Sequence, residues 1–180
     1  MKTKIFGGKK ITIKKLSKKD LRNVKEFQDF VNSLIEEKAQ ISLNKKLSLK
    51  EEKEWLKRQL GQIKNQKTVF LLAECDDKVI GTTGIDLRRG RQEHVGEFGI
   101  SIRNGYRGIG LGKHLMKEIL KLAKKELEPK PKIIRLSVFL TNKPAIGLYK
   151  KYGFKKAARI PKQLQDKGKL LDEIIMLLEL

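Results

Sequence analysis

Arg107-Gly108-Ile109-Gly110-Leu111-Gly112 is the stretch that decides the fold of this 180-residue chain. It follows an extended apolar segment at residues 98–102 and precedes an amphipathic pattern that begins near Leu111. The first amides of a helix have no intrahelical acceptor and carry the positive end of the helix dipole, so they favour a bound anion. Glycines allow a ligand to approach the backbone. The segment therefore predicts a phosphate-binding turn between a strand and a helix.

Two better-known phosphate loops do not match this spacing. A Walker loop requires glycine five residues before the Gly112-Lys113 pair, where Arg107 stands. It also requires Ser or Thr after the lysine, where His114 stands. A dinucleotide fingerprint on these glycines would require a further glycine at Lys113 and should open a βαβ unit. Neither nucleotide-binding class is therefore indicated.

A second motif follows a strand-like segment at residues 133–140. It reads Asn142-Lys143-Pro144-Ala145-Ile146-Gly147-Leu148-Tyr149-Lys150-Lys151-Tyr152-Gly153-Phe154. The Arg-x-x-Gly-x-Gly pattern of the first motif resembles the acetyl-CoA pyrophosphate loop of the GNAT superfamily of N-acetyltransferases. The second motif resembles that superfamily's Asn-x-x-Ala-x-x-Leu-Tyr-x-x-x-Gly-Phe signature. The resemblance covers roughly residues 69–180 and implies an acetyl-CoA-dependent N-acetyltransferase that uses direct transfer in a ternary complex.

The apolar patterns predict the order strand, two helices, three strands, helix, strand, helix and two strands. Ser17 with Asp20, and Ser48 with Glu51, have the capping-box spacing that opens the first two helices. Mixed hairpins and crossovers predict an α+β (mixed α/β) fold, one domain over residues 1–180. We expect a central mixed, largely antiparallel sheet of about seven strands flanked by helices.

The resemblance also implies that two strands diverge to admit the cofactor. These are the strand before the glycine loop and the strand after the following helix, which the superfamily numbers β4 and β5. Gly96 and Gly99 in the first of them suit a bulge. The divergence would leave backbone amides of the first strand free for the pantetheine arm.

Cofactor contacts are implied on three segments. The backbone of residues 100–102 provides the edge for the pantetheine arm, and the glycine loop with the first helical turn surrounds the pyrophosphate. Asn142 contacts the arm, or caps the following helix, or does both. The predicted acetyl-CoA-binding residues are Ile100, Ser101, Ile102, Arg107, Gly108, Ile109, Gly110, Leu111, Gly112, Lys113, Asn142 and Tyr149.

Two residues are candidates for proton transfer. The resemblance implies that Tyr149 protonates the departing coenzyme thiolate, and core packing of its ring is the alternative interpretation. Glu97 is the candidate base for the attacking amine, because strand alternation turns it away from Phe98 and Ile100. A hydrogen-bonded surface carboxylate and a water chain remain alternatives to a catalytic Glu97.

The formal net charge of +21 restricts the partners more than the fold. The charge leaves open a second functional class besides the acetyltransferase. In that class the chain is a basic nucleic-acid- or ribosome-associated binding protein that has the same fold but no catalytic activity. Aromatic residues make up only 6% of the chain and no nucleic-acid-binding motif is legible. As an enzyme, the chain would acetylate a protein N-terminus or a small-molecule or amino-acid amine. Charge repulsion predicts that polyamines such as spermidine react more slowly than neutral or acidic acceptors.

The remaining composition predicts a cytoplasmic protein without membrane association. The first 11 residues lack the apolar run of a secretory signal. Cys75 is the only cysteine, so no internal disulfide is expected. His94 and His114 are the only histidines and have no ligand-like spacing, so we expect no metal site.

Overall fold

The computed structural model of the chain describes residues 1–180 and contains one eight-stranded sheet and four α-helices. The strands are β1 (Lys2–Phe6), β2 (Lys9–Lys15), β3 (Thr68–Cys75), β4 (Lys78–Leu87), β5 (Val95–Ile102), β6 (Ile133–Phe139), β7 (Lys155–Asp166) and β8 (Lys169–Glu179). The helices are α1 (Val24–Glu36), α2 (Leu49–Lys64), α3 (Leu111–Glu126) and α4 (Lys143–Lys151). Both capping boxes form, although the Ser17 box opens a 3₁₀ turn that leads into α1.

The sheet has the order β1-β2-β3-β4-β5-β6-β8-β7. All neighbours are antiparallel except β5 and β6, which α3 connects as a crossover. The predicted α+β class with a mixed, largely antiparallel sheet is confirmed, with eight strands in place of about seven. The additional strand is β1, which forms a hairpin with β2 because Gly7 and Gly8 adopt φ values of 53° and 77°. The Gly-Gly dipeptide between two alternating segments was the sequence signal for it.

The predicted divergence lies between β5 and β6. These strands pair at only three positions, Val95, Gly96 and Glu97 opposite residues 133–135. Beyond Glu97, β5 pairs only with β4 and β6 only with β8. A gap therefore opens in the sheet directly before the glycine loop.

The predicted bulge at Gly96 or Gly99 is wrong. The pairing of β4 with β5 runs without a register shift from Gly96 to the end of β5. Gly96 is required for a different reason, since a Cβ there would lie 2.6 Å from Ile85 Cγ2 and 2.9 Å from Ile134 Cδ1. It allows close packing of side chains from β4 and β6, whereas a Cβ at Gly99 would meet no atom within 4 Å.

Two apolar cores cover the two faces of the sheet. Successive residues of β3 show the division, because Leu71 belongs to one core and Leu72 to the other. The larger core has 23 buried residues and lies beneath α3 and Tyr149 of α4, and the smaller core has 8 and lies beneath α1 and α2. None of the four helices has the length and apolar character needed to span a bilayer.

Candidate active site

The glycine loop forms an open cradle in front of α3. Gly108 and Gly110 adopt φ values of 78° and 90°, which non-glycine residues rarely take. A Cβ on either residue would meet no heavy atom within 4 Å, so the backbone there is open to a ligand. Gly110 is the N-cap of α3, and no side chain caps the helix.

Three amides at the start of α3 are free to bind this ligand. The first backbone hydrogen bond of the helix runs from His114 N–H to the Gly110 carbonyl at 3.2 Å. The amides of residues 111–113 therefore have no intrahelical acceptor. The first turn of α3 contains no acidic residue that would oppose an anion. The predicted pyrophosphate segment thus has the shape and the donors that a diphosphate requires.

The edge of β5 supplies further backbone groups. Arg103 N–H donates to the Ile80 carbonyl at 2.9 Å, which identifies a bonded pair of the β4–β5 ladder. Alternation along the ladder then directs the N–H of Ile100 and Ile102 toward the gap, and directs the backbone of Ser101 toward β4. Two of the three predicted edge residues therefore present free amides.

Arg107 adopts a position that the sequence did not indicate. Its Nε donates to the Ile102 carbonyl at 2.6 Å, and its Nη2 forms an ion pair with Glu37 directly after α1. The guanidinium group thus links the glycine loop to the end of α1. A phosphate ligand of this side chain would have to compete with Glu37, so its role in cofactor binding stays a prediction.

Tyr149 lies at the gap between β5 and β6. Its ring packs edge-on against Phe98 of β5, with centroids 5.9 Å apart and an interplanar angle of 82°. The residue is 7% exposed, and its hydroxyl has no hydrogen-bond partner yet is not sealed from solvent. Burial raises the pKa of Tyr149 to about 12, so the phenol remains protonated at neutral pH. The ring of Tyr149 therefore packs in the core, while its hydroxyl is free to donate a proton.

Asn142 and Tyr152 position the helix that carries Tyr149. Asn142 Oδ1 accepts a hydrogen bond from Ala145 N–H at 3.2 Å and caps α4. The Tyr152 hydroxyl donates to the Lys113 carbonyl at 2.5 Å and joins α4 to the first turn of α3. The capping interpretation of Asn142 is confirmed, and its contact with the cofactor arm stays a prediction.

Glu97 is held by two arginines. Its Oε1 accepts from Arg135 Nη1 at 2.6 Å and its Oε2 accepts from Arg88 Nε at 3.1 Å. Both carboxylate oxygens are therefore engaged, and the geometry favours the hydrogen-bonded surface carboxylate over the catalytic base. The base role stays a prediction without support from these contacts.

A cavity of about 620 Å³ lies on the opposite face of the sheet, between the α1–α2 region and strands β4 and β5. Gly99, Ile100 and Ser101 line it, so it reaches the strand that borders the gap. Glu52 of α2 and Asp86 of β4 also line it. A cavity of this size accommodates a small molecule.

Neither of these carboxylates was among the site residues predicted from the sequence. Glu52 shares one face of α2 with Leu56 and Gln59, and that helical spacing was the sequence signal for its burial. In the structure it is 1% exposed. Burial alone raises the pKa of Glu52 to about 7. Asp86 lacked a comparable signal, because a single acidic residue in a strand is ordinary. No group of three or more His, Cys, Asp or Glu side chains is arranged to hold a metal ion.

Comparison with known proteins agrees with this geometry. The model of the acetyltransferase (GNAT) family matches residues 31–154, which include most of the cavity lining, the glycine loop and α4. The chain therefore belongs to the GNAT family of acetyltransferases. It is 35% identical over 107 residues to the L-amino acid N-acetyltransferase AaaT of Escherichia coli (strain K12). That match covers 59% of this chain and 65% of the relative, which is slightly less than two thirds of its length.

Solved structures show the same fold. The crystal structure of the GNAT-family acetyltransferase from Streptococcus pneumoniae superposes with a TM-score of 0.82 at 26% identity, and covers 94% of this chain and 99% of that one. The structure of yncA from Salmonella typhimurium with its cofactor acetyl-CoA gives a TM-score of 0.78 at 19% identity, over 94% and 93% of the two chains. The second likeness supports the fold alone.

Proposed function

We propose that this chain transfers the acetyl group of acetyl-CoA to a primary amine by direct attack in a ternary complex. The observation that carries the proposal is the grouping of three features around one gap in the sheet. These features are the unpaired amides of α3 behind an open glycine loop, the free edge of β5, and the unpaired hydroxyl of Tyr149. The loop would hold the pyrophosphate and the β5 edge would hold the pantetheine arm.

The transfer requires one new bond and one broken bond. The neutral amine nitrogen bonds to the acetyl carbonyl carbon, and the carbon–sulfur bond of the thioester breaks. Tyr149 donates its proton to the departing thiolate, and the proton lost by the nitrogen returns to the phenolate through water. An acceptor that arrives as an ammonium ion first releases one more proton to solvent. The products are the amide and free coenzyme A.

The acceptor would approach from the cavity on the other face. Gly99 leaves room for this approach, because it lines the cavity on the strand that borders the gap and a Cβ there would meet no atom within 4 Å. The E. coli relative is named for L-amino acids, so a small molecule is one class of acceptor. A protein N-terminus is the other class compatible with an open cavity.

Binding of acetyl-CoA is testable without knowledge of the acceptor. Acetyl-CoA at about 100 times its Kd should stabilise the folded chain by about 3 kcal/mol, which corresponds to about 5 to 10 °C in Tm. Gly110→Val should lose most of that shift, because φ near 90° is unfavourable for a β-branched residue. Differential scanning fluorimetry measures both.

Gly61→Ala is the matched control for the glycine substitution. Gly61 lies within α2 with no atom near its Cβ direction, so alanine there should retain the full acetyl-CoA shift. An unchanged wild-type Tm at millimolar acetyl-CoA would contradict the proposed cofactor.

We also propose that the basic surface associates with a polyanion such as ribosomal RNA. The outward face of α3 supports this, because five exposed lysines there lack carboxylate partners: Lys113, Lys117, Lys121, Lys124 and Lys125. If all five contact phosphates, affinity for single-stranded RNA should fall about 10²-fold between 50 and 200 mM salt. Fluorescence anisotropy with labelled RNA measures how this affinity depends on the salt concentration.

The paired change Lys121→Gln and Lys124→Gln should flatten this salt dependence. Both lysines lie away from the glycine loop, so the acetyl-CoA shift should be kept. RNA affinity that does not respond to salt would reject the association.

A further inference from the structure

The cavity identified above has a charge opposite to that of the whole molecule. The chain carries 42 Lys and Arg residues against 21 Asp and Glu residues. The ionisable residues that line the cavity are four acids and one base: Glu51, Glu52, Glu54, Asp86 and Arg58. An acidic pocket on a strongly basic protein concentrates cations where the rest of the surface repels them.

Glu52 has no partner in this cavity. The residue is 1% exposed, and its Oε1 is sealed from solvent without any hydrogen bond. A buried carboxylate that lacks a partner destabilises the fold unless something supplies a donor. The neighbouring Glu51 is different, because its carboxylate accepts from Ser48 in the capping box of α2.

Asp86 is the second carboxylate of the cavity that forms no ion pair. It accepts a hydrogen bond from the Thr68 hydroxyl, and no lysine or arginine lies within ion-pair distance. Its strand neighbour Glu97 instead engages two arginines. Desolvation by the surrounding protein raises the pKa of Asp86, although the residue itself is exposed to solvent on the cavity side of β4. The cavity thus holds two carboxylates that form no ion pair within the protein, although Arg58 of the same lining is close enough to Asp86 to oppose the rise in its pKa.

The walls of the cavity are apolar and aromatic. Phe27, Phe30, Trp55 and Phe70 contribute to them, together with aliphatic residues of α1 and of the segment before α2. Such walls suit the hydrocarbon body of a ligand and attract an ammonium group over the ring faces. A zwitterionic or acidic acceptor would place its carboxylate among four others. Arg58 is the one basic residue of the lining, and Arg103 lies over the ring of the wall residue Phe30 with its Cζ 5.8 Å from the ring centroid.

We propose that the acceptor is a small diamine-like dication. One amine reacts at the β5 edge, and the second amine stays protonated and is held by Glu52 and Asp86. This inference rests on the proposed acetyltransferase function and specifies its substrate class. It reverses the preference expected from net charge alone, because the charge that the acceptor meets is that of the cavity.

The test compares two amines of equal length. 1,6-Diaminohexane and heptylamine have the same number of non-hydrogen atoms and differ by an amine in place of a methyl group. The ratio of their kcat/KM values, measured by release of coenzyme A thiol, should favour the diamine by about tenfold or more. The presence of two equivalent amines in the diamine, by itself, raises kcat/KM only about twofold.

Two variants assign the effect to the carboxylates. Glu52→Gln and Asp86→Asn should each reduce the diamine preference severalfold while the acetyl-CoA thermal shift is kept. Glu93→Gln is the matched control, because Glu93 is exposed and lies outside the cavity. It should leave the ratio unchanged. If one variant proves too unstable to assay, the other still tests the assignment.

Other outcomes overturn the inference in distinguishable ways. Equal rates for the two amines, or turnover of amino acids or peptides but not of the diamine, would reject the dication and leave the acetyltransferase function standing. A diamine preference that survives both substitutions would reject the two carboxylates. Failure of every acceptor, together with no thermal shift by acetyl-CoA, would reject the proposed function itself.

Discussion

Replacing Tyr149 with phenylalanine should lower kcat by about 10² to 10⁴, the contribution expected of a positioned proton donor. The thiolate would then leave without the acid proposed for it. The ring should keep its packing against Phe98, so stability and acetyl-CoA affinity should change little. Steady-state kinetics and the acetyl-CoA thermal shift together provide the measurement.

Tyr152→Phe is the matched control for this substitution. The Tyr152 hydroxyl donates to the Lys113 carbonyl and joins two helices, so its loss should lower stability by about 1 kcal/mol and largely retain turnover. A Tyr149→Phe enzyme with wild-type kcat would remove Tyr149 from the mechanism and leave its ring to core packing alone.

Replacing Glu52 with glutamine should stabilise the protein above neutral pH. Burial raises the pKa of Glu52 from its ordinary 4.5 to about 7, so the folded state holds this proton more tightly than the unfolded state. Above pH 7 the folded protein carries a buried, unpartnered carboxylate. Removing that charge should stabilise the protein by about 2 to 3 kcal/mol, or about 4 to 10 °C in Tm.

The raised pKa of Glu52 determines how the stability difference between wild type and variant changes with pH. As pH falls from about 7 toward 4.5, Glu52 becomes protonated in the folded state first, so the wild type gains stability relative to the variant. The advantage of Glu52→Gln should therefore fall to about 1 kcal/mol or less near pH 5 and vanish below pH 4.5. Thermal denaturation at pH 5 and pH 8 measures this difference.

Glu54→Gln tests whether the effect requires burial. Glu54 lies two residues further along α2 and is exposed, so its substitution should change Tm little at either pH. A Glu52→Gln protein that is less stable than the wild type at pH 8 would contradict the prediction. A gain in stability combined with a loss of diamine preference is the pattern expected of a ligand-binding residue that destabilises the free protein.

The parts of the site that the sequence predicted are local in the chain. The glycine loop needs only two residues with positive φ before an amphipathic helix, and Gly108, Gly110 and the first turn of α3 are contiguous. Asn142 likewise caps the helix that it immediately precedes. Such features depend on backbone conformations and hydrogen bonds within a few residues, so the order of residue types is sufficient to indicate them.

The parts that the sequence missed join distant residues. Gly96 was interpreted as a bulge, but its small size is required by Ile85 and Ile134 on the two neighbouring strands. For Glu97 the sequence left open a catalytic base and a hydrogen-bonded surface carboxylate, and it did not indicate that Arg88, which follows β4, and Arg135 of β6 both bind this residue. These contacts follow from strand register, which no short pattern specifies.

By itself, the sequence determined the family, the order of helices and strands apart from β1, and the loop and tyrosine around which acetyl transfer is proposed. Each of these depends on local spacing and on hydrophobic periodicity. The tertiary structure decided which charges meet. It paired Arg107 with Glu37, engaged both oxygens of Glu97, and placed Glu52 and Asp86 in one cavity without ion-pair partners. The physical reason is that net charge sums over the whole chain, whereas a ligand responds to the few groups that the fold places around it.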